Sequence, residues 1–184
     1  MAERSELDGL VVARAVAGDR QALEGVLAAL QRPLYRYVSR LVMRREIAED
    51  VLQEVLFRIC RKIGWLHDPE LLRPWAFRIA SRECFRHLRS EKRRGEEMLD
   101  PETAIWDGVT PGWEPRLLDW IDALSPASRA VITLHYLEEM SLDEVAAVLE
   151  IPPGTVKSRL AYGLARLRKQ AAGSLTNAGG GIQP

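Results

Sequence analysis

The segment from residue 141 to residue 170 limits the fold most tightly, because it has the pattern of two helices joined by a sharp turn. Ser141 can cap the first helix, and Glu144 three residues later completes a capping box. Residues 151–154 have the sequence IPPG. They cannot continue a helix, since proline lacks an N–H donor and clashes with the preceding turn. We therefore expect a helical hairpin whose second helix begins at Thr155.

The second helix of this hairpin separates an apolar stripe from a basic outer surface. Its apolar residues recur at helical spacing, which predicts that they form the buried side. Five basic residues and no acidic residue lie within 155–170. Small, polar and basic outward side chains suit a helix that enters the DNA major groove, whereas an ordinary hairpin with solvated cations is the alternative. The stripe consists of Val156, Leu160, Leu164 and Leu167.

Charge is distributed in blocks, although the formal net charge of the chain is zero. Residues 73–94 hold eight basic residues against two acidic ones, and residues 96–122 hold eight acidic residues against one basic residue. Salt screens charges beyond roughly 8–10 Å, so a nucleic acid responds to a local patch rather than to the net charge. The two basic blocks, 73–94 and 155–170, therefore remain candidates for DNA contact.

Several classes of function are disfavoured by the composition. The two cysteines, Cys60 and Cys84, lie in apolar helical patterns and are expected to be buried, reduced thiols of a cytoplasmic protein, with any redox role left open. No Cys/His cluster has metal-ligand spacing, so we expect no metal and no cofactor. No signal peptide and no apolar run of roughly 18–20 residues is present, which predicts no membrane insertion. No nucleophile–base pair or phosphate loop is found, so we expect no enzymatic activity.

Every periodic segment of the chain is helical, which predicts an all-α protein. Leu7–Ala17 is expected to form a helix that ends at Gly18, with Asp19 capping the next helix. Pro33 fits the first turn of a third helix. Two more helices, a linker and a second group of helices follow. The fourth and fifth helices are expected at about 47–63 and 72–91, and the acidic, Pro- and Gly-containing linker at 95–115.

The fourth helix carries a second stripe beside its buried one. The buried positions are Val51, Val55, Ile59 and Ile63. Asp50, Gln53, Glu54 and Phe57 share another face. An aromatic side chain surrounded by polar groups is typical of a protein–protein hot spot. The alternative is that Phe57 packs against a neighbouring helix.

The fifth helix combines Trp75, Phe77 and Phe85 with a row of arginines. Basic side chains can neutralise phosphates, and exposed rings can stack on unpaired bases. Aromatic residues in the core and solvated arginines are the alternative. The preceding loop, with His67 and Asp68, could line a pocket for a base extracted from the stack.

These motifs, in this order, resemble the extracytoplasmic-function (ECF) class of bacterial sigma factors in the sigma-70 family. The motifs are AEDVLQEV (48–55), RPWAFRIA (73–80), LSPASRAVITLHYLEEMSLDEVA (124–146) and IPPGTVKSRL (151–160). The resemblance implies two small helical domains joined by a flexible acidic linker. Region 2 would span 1–94, the linker 95–115, region 4 with its helix-turn-helix 116–172, and a disordered tail 173–184.

The resemblance also implies a function, which is to bind core RNA polymerase and to direct promoter-specific transcription initiation. Region 2 would bind the polymerase clamp and melt the −10 element, and region 4 would bind the flap and read the −35 element. An anti-sigma factor is expected to control the chain. The implied polymerase contacts are Asp50, Gln53, Glu54 and Phe57. The implied −10 single-strand contacts are His67, Arg73, Arg78, Arg82 and Arg86. The implied −35 contacts are Thr155, Lys157, Ser158, Arg159, Ala161 and Tyr162.

The helix-turn-helix alone would also suit a stand-alone transcriptional regulator with an N-terminal sensing or dimerisation domain. Such a regulator has no need for the second stripe of the fourth helix together with the basic aromatic helix. These two features favour the sigma-factor interpretation.

Overall fold

The computed structural model describes residues 8–94 and 115–178, which form eight α-helices, short 3-10 and π-helical turns, and no β-strand within those ranges. Most of the predicted linker and residues 179–184 of the predicted tail lie outside the described residues. The all-helical expectation is confirmed. The helices are α1 (Gly9–Val16), α2 (Arg20–Val42), α3 (Arg45–Lys62), α4 (Leu72–Arg94), α5 (Pro115–Asp122), α6 (Pro126–Ile132), α7 (Leu142–Leu149) and α8 (Pro153–Ala178).

The helix α2 continues through Pro33, so the predicted start of a new helix at this residue is wrong. A proline inside a helix costs roughly 3 kcal/mol, because one hydrogen bond is lost and the ring crowds the preceding turn. Val26 and Leu30 before Pro33 and Leu34 after it are all buried on one side of the helix. Each buried side chain of this size contributes about 1.5–3 kcal/mol, so a continuous stripe outweighs the proline.

The N-terminal helices pack around Tyr37 on α2. Its ring is fully buried and lies edge-on to Phe77 of α4, with ring centroids 5.4 Å apart. The Tyr37 hydroxyl also shares a 2.7 Å hydrogen bond with the Ser81 hydroxyl. Phe77 is therefore a core residue, as the alternative interpretation of the aromatic helix allowed. The predicted cap at Asp19 is confirmed, since its carboxylate accepts a 3.0 Å hydrogen bond from the Ala22 N–H.

The predicted burial of both cysteines is wrong for Cys60. Cys84 on α4 is buried, but Cys60 on α3 is exposed. Cys60 follows the buried Ile59 and lies about 100° further around the helix, so it points away from the core side. Burial raises the pKa of the Cys84 thiol, and nearby Glu83 acts in the same direction. The Cys84 thiol is therefore unreactive at neutral pH.

The predicted hairpin is present as α7 and α8. Ser141 accepts a 3.2 Å hydrogen bond from the Glu144 N–H, and the Glu144 carboxylate accepts a 2.8 Å bond from the Ser141 N–H, which confirms the capping box. The second helix begins at Pro153, two residues earlier than predicted, because proline suits the first helical turn. Residues 173–178 continue α8 rather than forming a disordered tail, since one glycine costs only about 1 kcal/mol.

Helices α6 and α8 approach each other at Gly163. This residue is buried, and a β-carbon built on it would lie 2.5 Å from Ile132 Cδ1 and 3.6 Å from Leu124 Cδ1. No side chain larger than hydrogen fits without movement of Ile132. Gly163 therefore sets how closely the second hairpin helix packs on α6.

Substitution Gly163→Ala is expected to lower the free energy of unfolding by about 1–3 kcal/mol, because the methyl group overpacks the contact with Ile132. The matched control is Gly154→Ala, since Gly154 lies on the same helix with open space around its α-carbon. Urea denaturation monitored by circular dichroism measures both variants. Equal stability of the two variants would contradict the close approach of α6 and α8.

The N-terminal and C-terminal helices share one contiguous apolar core. Buried residues of α2, α3 and α4 belong to the same cluster as buried residues of α6 and α7. The long helix α4 lies against α7, and α2 lies against α6. The two halves of the chain are therefore packed together in this structure. The C-terminal members of the shared cluster are Ala130, Val131, Leu134, Met140, Val145, Ala146, Val148 and Val156.

Candidate protein and nucleic-acid interfaces

The helix α3 corresponds to the fourth helix of the sequence prediction, and α4 corresponds to the fifth. The outer face of α3 is accessible to solvent. Asp50 and Gln53 are exposed, and Glu54 is half-buried. Phe57 is 55% exposed, so it does not pack against a neighbouring helix. The Arg61 guanidinium lies 5.6 Å from the centre of the Phe57 ring and holds a cation–π contact with it. The structure thus presents an unburied aromatic ring among polar groups, the arrangement that the sequence predicts.

Two grooves adjoin this face. One, of about 360 Å³, runs beside Phe57 and ends at Trp65, which is 72% exposed. The other, of about 720 Å³, lies between α2 and α3 and includes Asp50 and Gln53. Sequence reasoning missed Trp65, because tryptophan is highly buried on average and no local pattern marks this ring as exposed. The α3 face therefore extends into two concave surfaces that a partner helix or loop could enter.

A buried carboxylate connects this face to α4. Glu83 on α4 is 5% exposed and pairs with Arg58 of α3 at 3.1 Å. Arg58 in turn donates a 2.6 Å hydrogen bond to Glu54. Glu83 also pairs with Arg86, one of the predicted −10 contacts. A single acidic side chain thus orients one residue of the α3 face and one arginine of α4.

Three other arginines of α4 contact the C-terminal helices. Arg73 donates to the Glu138 carboxylate at 2.7 Å and to the Glu138 backbone carbonyl at 2.6 Å. Arg78 donates to the backbone carbonyl of Ala147 at 3.1 Å. These contacts join residues that are more than 60 positions apart in the chain. The predicted strand-binding arginines thus lie on one helix, and the C-terminal half of the chain occupies part of that row.

The third arginine, Arg82, forms a two-pronged ion pair with Glu150 at the end of α7. Its Nε donates to the Glu150 carboxylate at 2.8 Å, and a terminal nitrogen donates to the other oxygen. The hydrogen bond from Arg82 lowers the pKa of Glu150, and the same bond raises the pKa of Arg82. His67, the remaining predicted −10 contact, is exposed in the loop before α4.

Glu138 occupies a different environment from Glu150. Burial raises the pKa of Glu138 above its usual value, while the charge of Arg73 acts in the opposite direction. The Glu138 carboxylate is only 3% exposed, so it needs the Arg73 guanidinium as a partner. The Arg73 guanidinium therefore offsets part of the desolvation cost of burying this carboxylate where α4 meets the C-terminal helices.

Arg129 on α6 forms the second connection between the two halves. Its guanidinium donates to the backbone carbonyl of Arg40 at 2.8 Å and to that of Leu124 at 2.8 Å. It also donates to the backbone carbonyl of Asp122, whose carboxylate pairs with Arg40 at 3.0 Å. Burial lowers the pKa of Arg129 to about 10, and the charge of Asp122 acts against this decrease. The Arg129 side chain thereby supplies hydrogen-bond donors to backbone carbonyls at the C-terminal end of α2.

The outer face of α8 agrees with the predicted hairpin surface. Lys157, Ser158 and Ala161 are exposed, and Tyr162 is 58% exposed. Thr155 and Arg159, also predicted as −35 contacts, are half-buried, and the Ser158 hydroxyl donates to the Thr155 carbonyl at 3.0 Å. In the inward stripe, Val156 is fully buried and the three leucines are half-buried. The exposed face carries small, polar and basic groups at the positions that the sequence indicates.

Other kinds of site have no support in the part of the chain that the structure describes. Among residues 8–94 and 115–178, no group of three or more His, Cys, Asp or Glu side chains could hold a metal ion. None of the helices in those ranges is long and apolar enough to cross a lipid bilayer.

Within the described residues, an exposed α3 face, a basic α4 and a helix-turn-helix are the combination expected of a DNA-binding protein that also binds another protein. Residues 26–94 match the family description Sigma-70 region 2, and residues 120–169 match Sigma-70, region 4. The chain belongs to the sigma-70 family, in the group of ECF sigma factors. It is therefore an RNA polymerase sigma factor that acts in transcription initiation.

The sequences of two related proteins match this chain over most of its length. The RNA polymerase sigma-E factor of Streptomyces coelicolor is 32% identical, over 83% of this chain and 88% of that protein. The ECF RNA polymerase sigma factor SigL of Mycobacterium tuberculosis is 35% identical, over 77% of this chain and 88% of that protein.

Two solved structures share the fold. CnrH, in complex with the cytosolic domain of CnrY, has a TM-score of 0.67 and 22% identity, and the match covers 91% of this chain and 99% of CnrH. The sigma factor RpoE of Bartonella quintana, in complex with the anti-sigma factor NepR, has a TM-score of 0.67 and 24% identity, over 82% and 94% of the two chains.

Proposed function

We propose that three surfaces of this sigma factor, on α3, α4 and α8, have separate roles in promoter recognition. The outer face of α3, with Asp50, Gln53, Glu54 and Phe57, binds the clamp of core RNA polymerase. The α4 arginines and His67 hold the opened −10 strand. The outer face of α8 reads the −35 element. Region 2 extends to residue 94, and region 4 begins near residue 116.

The observation that carries this proposal is the exposed Phe57 ring beside charged groups, on a helix whose opposite face is completely buried. A solvent-exposed phenylalanine between an acidic and a basic side chain costs solvation unless a partner covers it. The exposed basic face of α8 lies on a separate helix and suits phosphates and base edges. The chain thus offers one surface to a protein and others to DNA.

The polymerase supplies the chemistry of RNA synthesis, and this chain supplies specificity without a catalytic step of its own. It acts in the cytoplasm with the polymerase. An anti-sigma factor holds it inactive, and the occurrence of the structural neighbour RpoE in complex with the anti-sigma factor NepR supports such a partner. The partner would cover surfaces that are exposed here, with the α3 face foremost among them.

Run-off transcription with core polymerase on a pool of genomic fragments tests the proposed function. Products that require this chain are expected, and their 5′ ends define the promoters. Absence of any chain-dependent product would refute the proposal. A stand-alone regulator would instead bind specific DNA without polymerase and would direct no initiation by core enzyme.

Substitution Lys157→Ala is expected to weaken binding of −35 duplex DNA by the holoenzyme and to reduce the slope of log K against log salt by about one unit, because one phosphate contact is lost. The matched control is Lys169→Ala, an exposed lysine further along the same helix. Fluorescence anisotropy at four salt concentrations measures both. An unchanged slope for Lys157→Ala would place this side chain away from the DNA.

A further inference from the structure

Arg86 on α4 is held by a residue of its own helix, one turn before it. Its Nη2 nitrogen pairs with the Glu83 carboxylate. We propose that Glu83 is a positioning residue, which aims the Arg86 guanidinium at a phosphate or base edge of the opened −10 strand. This inference rests on the proposed role of Arg86 in strand binding. The other α4 arginines with that proposed role contact the C-terminal helices instead: Arg73, Arg78 and Arg82.

The Glu83 carboxylate is fixed between two helices. It is 5% exposed, and its Oε1 atom pairs with the Nε atom of Arg58 on α3 at 3.1 Å. Its other oxygen pairs with Arg86. Since Arg58 holds the carboxylate from the opposite side, Glu83 cannot turn to follow a mobile partner. The Arg86 side chain is 59% exposed and would sample many rotamers without this support.

The pairing leaves donors on Arg86 for DNA. A guanidinium carries five N–H groups, and the pair with Glu83 uses the Nη2 nitrogen. The Nε and Nη1 nitrogens can therefore donate to a phosphate or to a base edge. An arginine that is already held in one orientation loses less conformational freedom on binding than an unrestrained one. Glu83 thus contributes to strand binding although it does not touch the strand.

The fold gives little other reason for a carboxylate at this position. Ala80 and Cys84, which lie near Glu83 on the buried side of α4, are fully buried and apolar. Burying a carboxylate costs desolvation, and an apolar side chain of similar size often gives equal stability. The negative charge also lowers the attraction of α4 for phosphates. A buried glutamate here therefore serves orientation better than it serves stability or net charge.

The test measures binding of the −10 strand by the holoenzyme at saturating core polymerase. The variants are Glu83→Gln and Glu83→Met, which keep the side-chain size and remove the negative charge. The matched control is Glu91→Gln, which makes the same charge change at a buried glutamate of α4 that pairs with Arg44 and His87. The probe is a fluorescent promoter fragment, single-stranded over the −10 sequence found by run-off transcription, and the readout is anisotropy.

Both Glu83 variants are expected to bind the strand about threefold to tenfold more weakly, because the Arg86 side chain must then be ordered on binding. Net charge alone predicts the opposite sign, since each variant carries one negative charge fewer. The Glu91→Gln control is expected to bind as tightly as the parent or more tightly. Unchanged or tighter binding by a folded Glu83 variant would overturn the proposal, and so would an equal loss in the control.

A double-mutant cycle with Arg86→Ala separates positioning from other effects. Arg86→Ala alone is expected to weaken strand binding, and adding Glu83→Gln is expected to cause no further loss, because the residue that Glu83 positions is already absent. Additive losses would contradict the proposal, as would normal strand binding by Arg86→Ala. Unfolding of both Glu83 variants, seen by circular dichroism, would assign Glu83 to the fold alone and would also overturn it. Run-off transcription by the parent chain tests the proposed function separately.

Discussion

Substitution Arg129→Met is expected to lower the free energy of unfolding by about 3–5 kcal/mol, since it removes a buried cation whose two terminal nitrogens donate hydrogen bonds to backbone carbonyls. The backbone carbonyls of Arg40 and Leu124 would lose a donor in a site that water does not reach. Methionine has a volume similar to that of arginine. The decrease in the free energy of unfolding therefore measures the lost hydrogen bonds rather than the creation of a cavity. Urea denaturation measured by circular dichroism gives the value.

The control for this experiment is Arg166→Met, which makes the same change at an exposed residue of α8. Its free energy of unfolding is expected to stay within about 0.5 kcal/mol of the parent. If Arg129→Met were as mild as the control, the network around Arg129 would not hold the two halves of the chain together.

The double substitution Phe57→Ala/Gln53→Ala is expected to weaken binding of core polymerase by about 30-fold or more, because a central aromatic residue of an interface commonly contributes 2 kcal/mol or more. Both side chains are exposed, so the fold should survive the change. Titration of labelled chain with core polymerase measures the affinity, and run-off transcription at limiting polymerase should fall in parallel.

A second pair of exposed residues tests whether the effect is specific. Leu10→Ala/Gln21→Ala also removes one exposed apolar side chain and one exposed glutamine, but on α1 and α2. This control is expected to bind polymerase like the parent. If Phe57→Ala/Gln53→Ala and the control bound polymerase with equal affinity, the α3 face would not be part of the polymerase contact.

Features set by a few adjacent residues were predictable from the sequence. The Ser141–Glu144 capping box and the Asp19 cap depend on side chains within three positions of their partners, so the pattern contains all the necessary information. The buried stripe of α3 follows in the same way from a period of 3.6 residues. Pro33 shows where local rules fail, because the burial of α2 on both sides of the proline outweighs the lost hydrogen bond.

Features set by the approach of distant segments were not predictable. The basic block 73–94 is evident in the sequence, but nothing local pairs Arg73 with Glu138 or Arg82 with Glu150. The requirement for a glycine at position 163 likewise depends on Ile132, which belongs to another helix. The roles assigned to the α3, α4 and α8 side chains stay predictions, since they depend on partners that are separate molecules.

The apolar core that α4 shares with α7 has a calorimetric consequence. Any process that draws the two domains apart hydrates those side chains and adds a positive heat-capacity increment. Association with a large enzyme normally gives a negative one. If binding of polymerase draws the two domains of this sigma factor apart, the two contributions oppose each other, and titration calorimetry at several temperatures should then show a smaller heat-capacity change than the buried interface area alone would give.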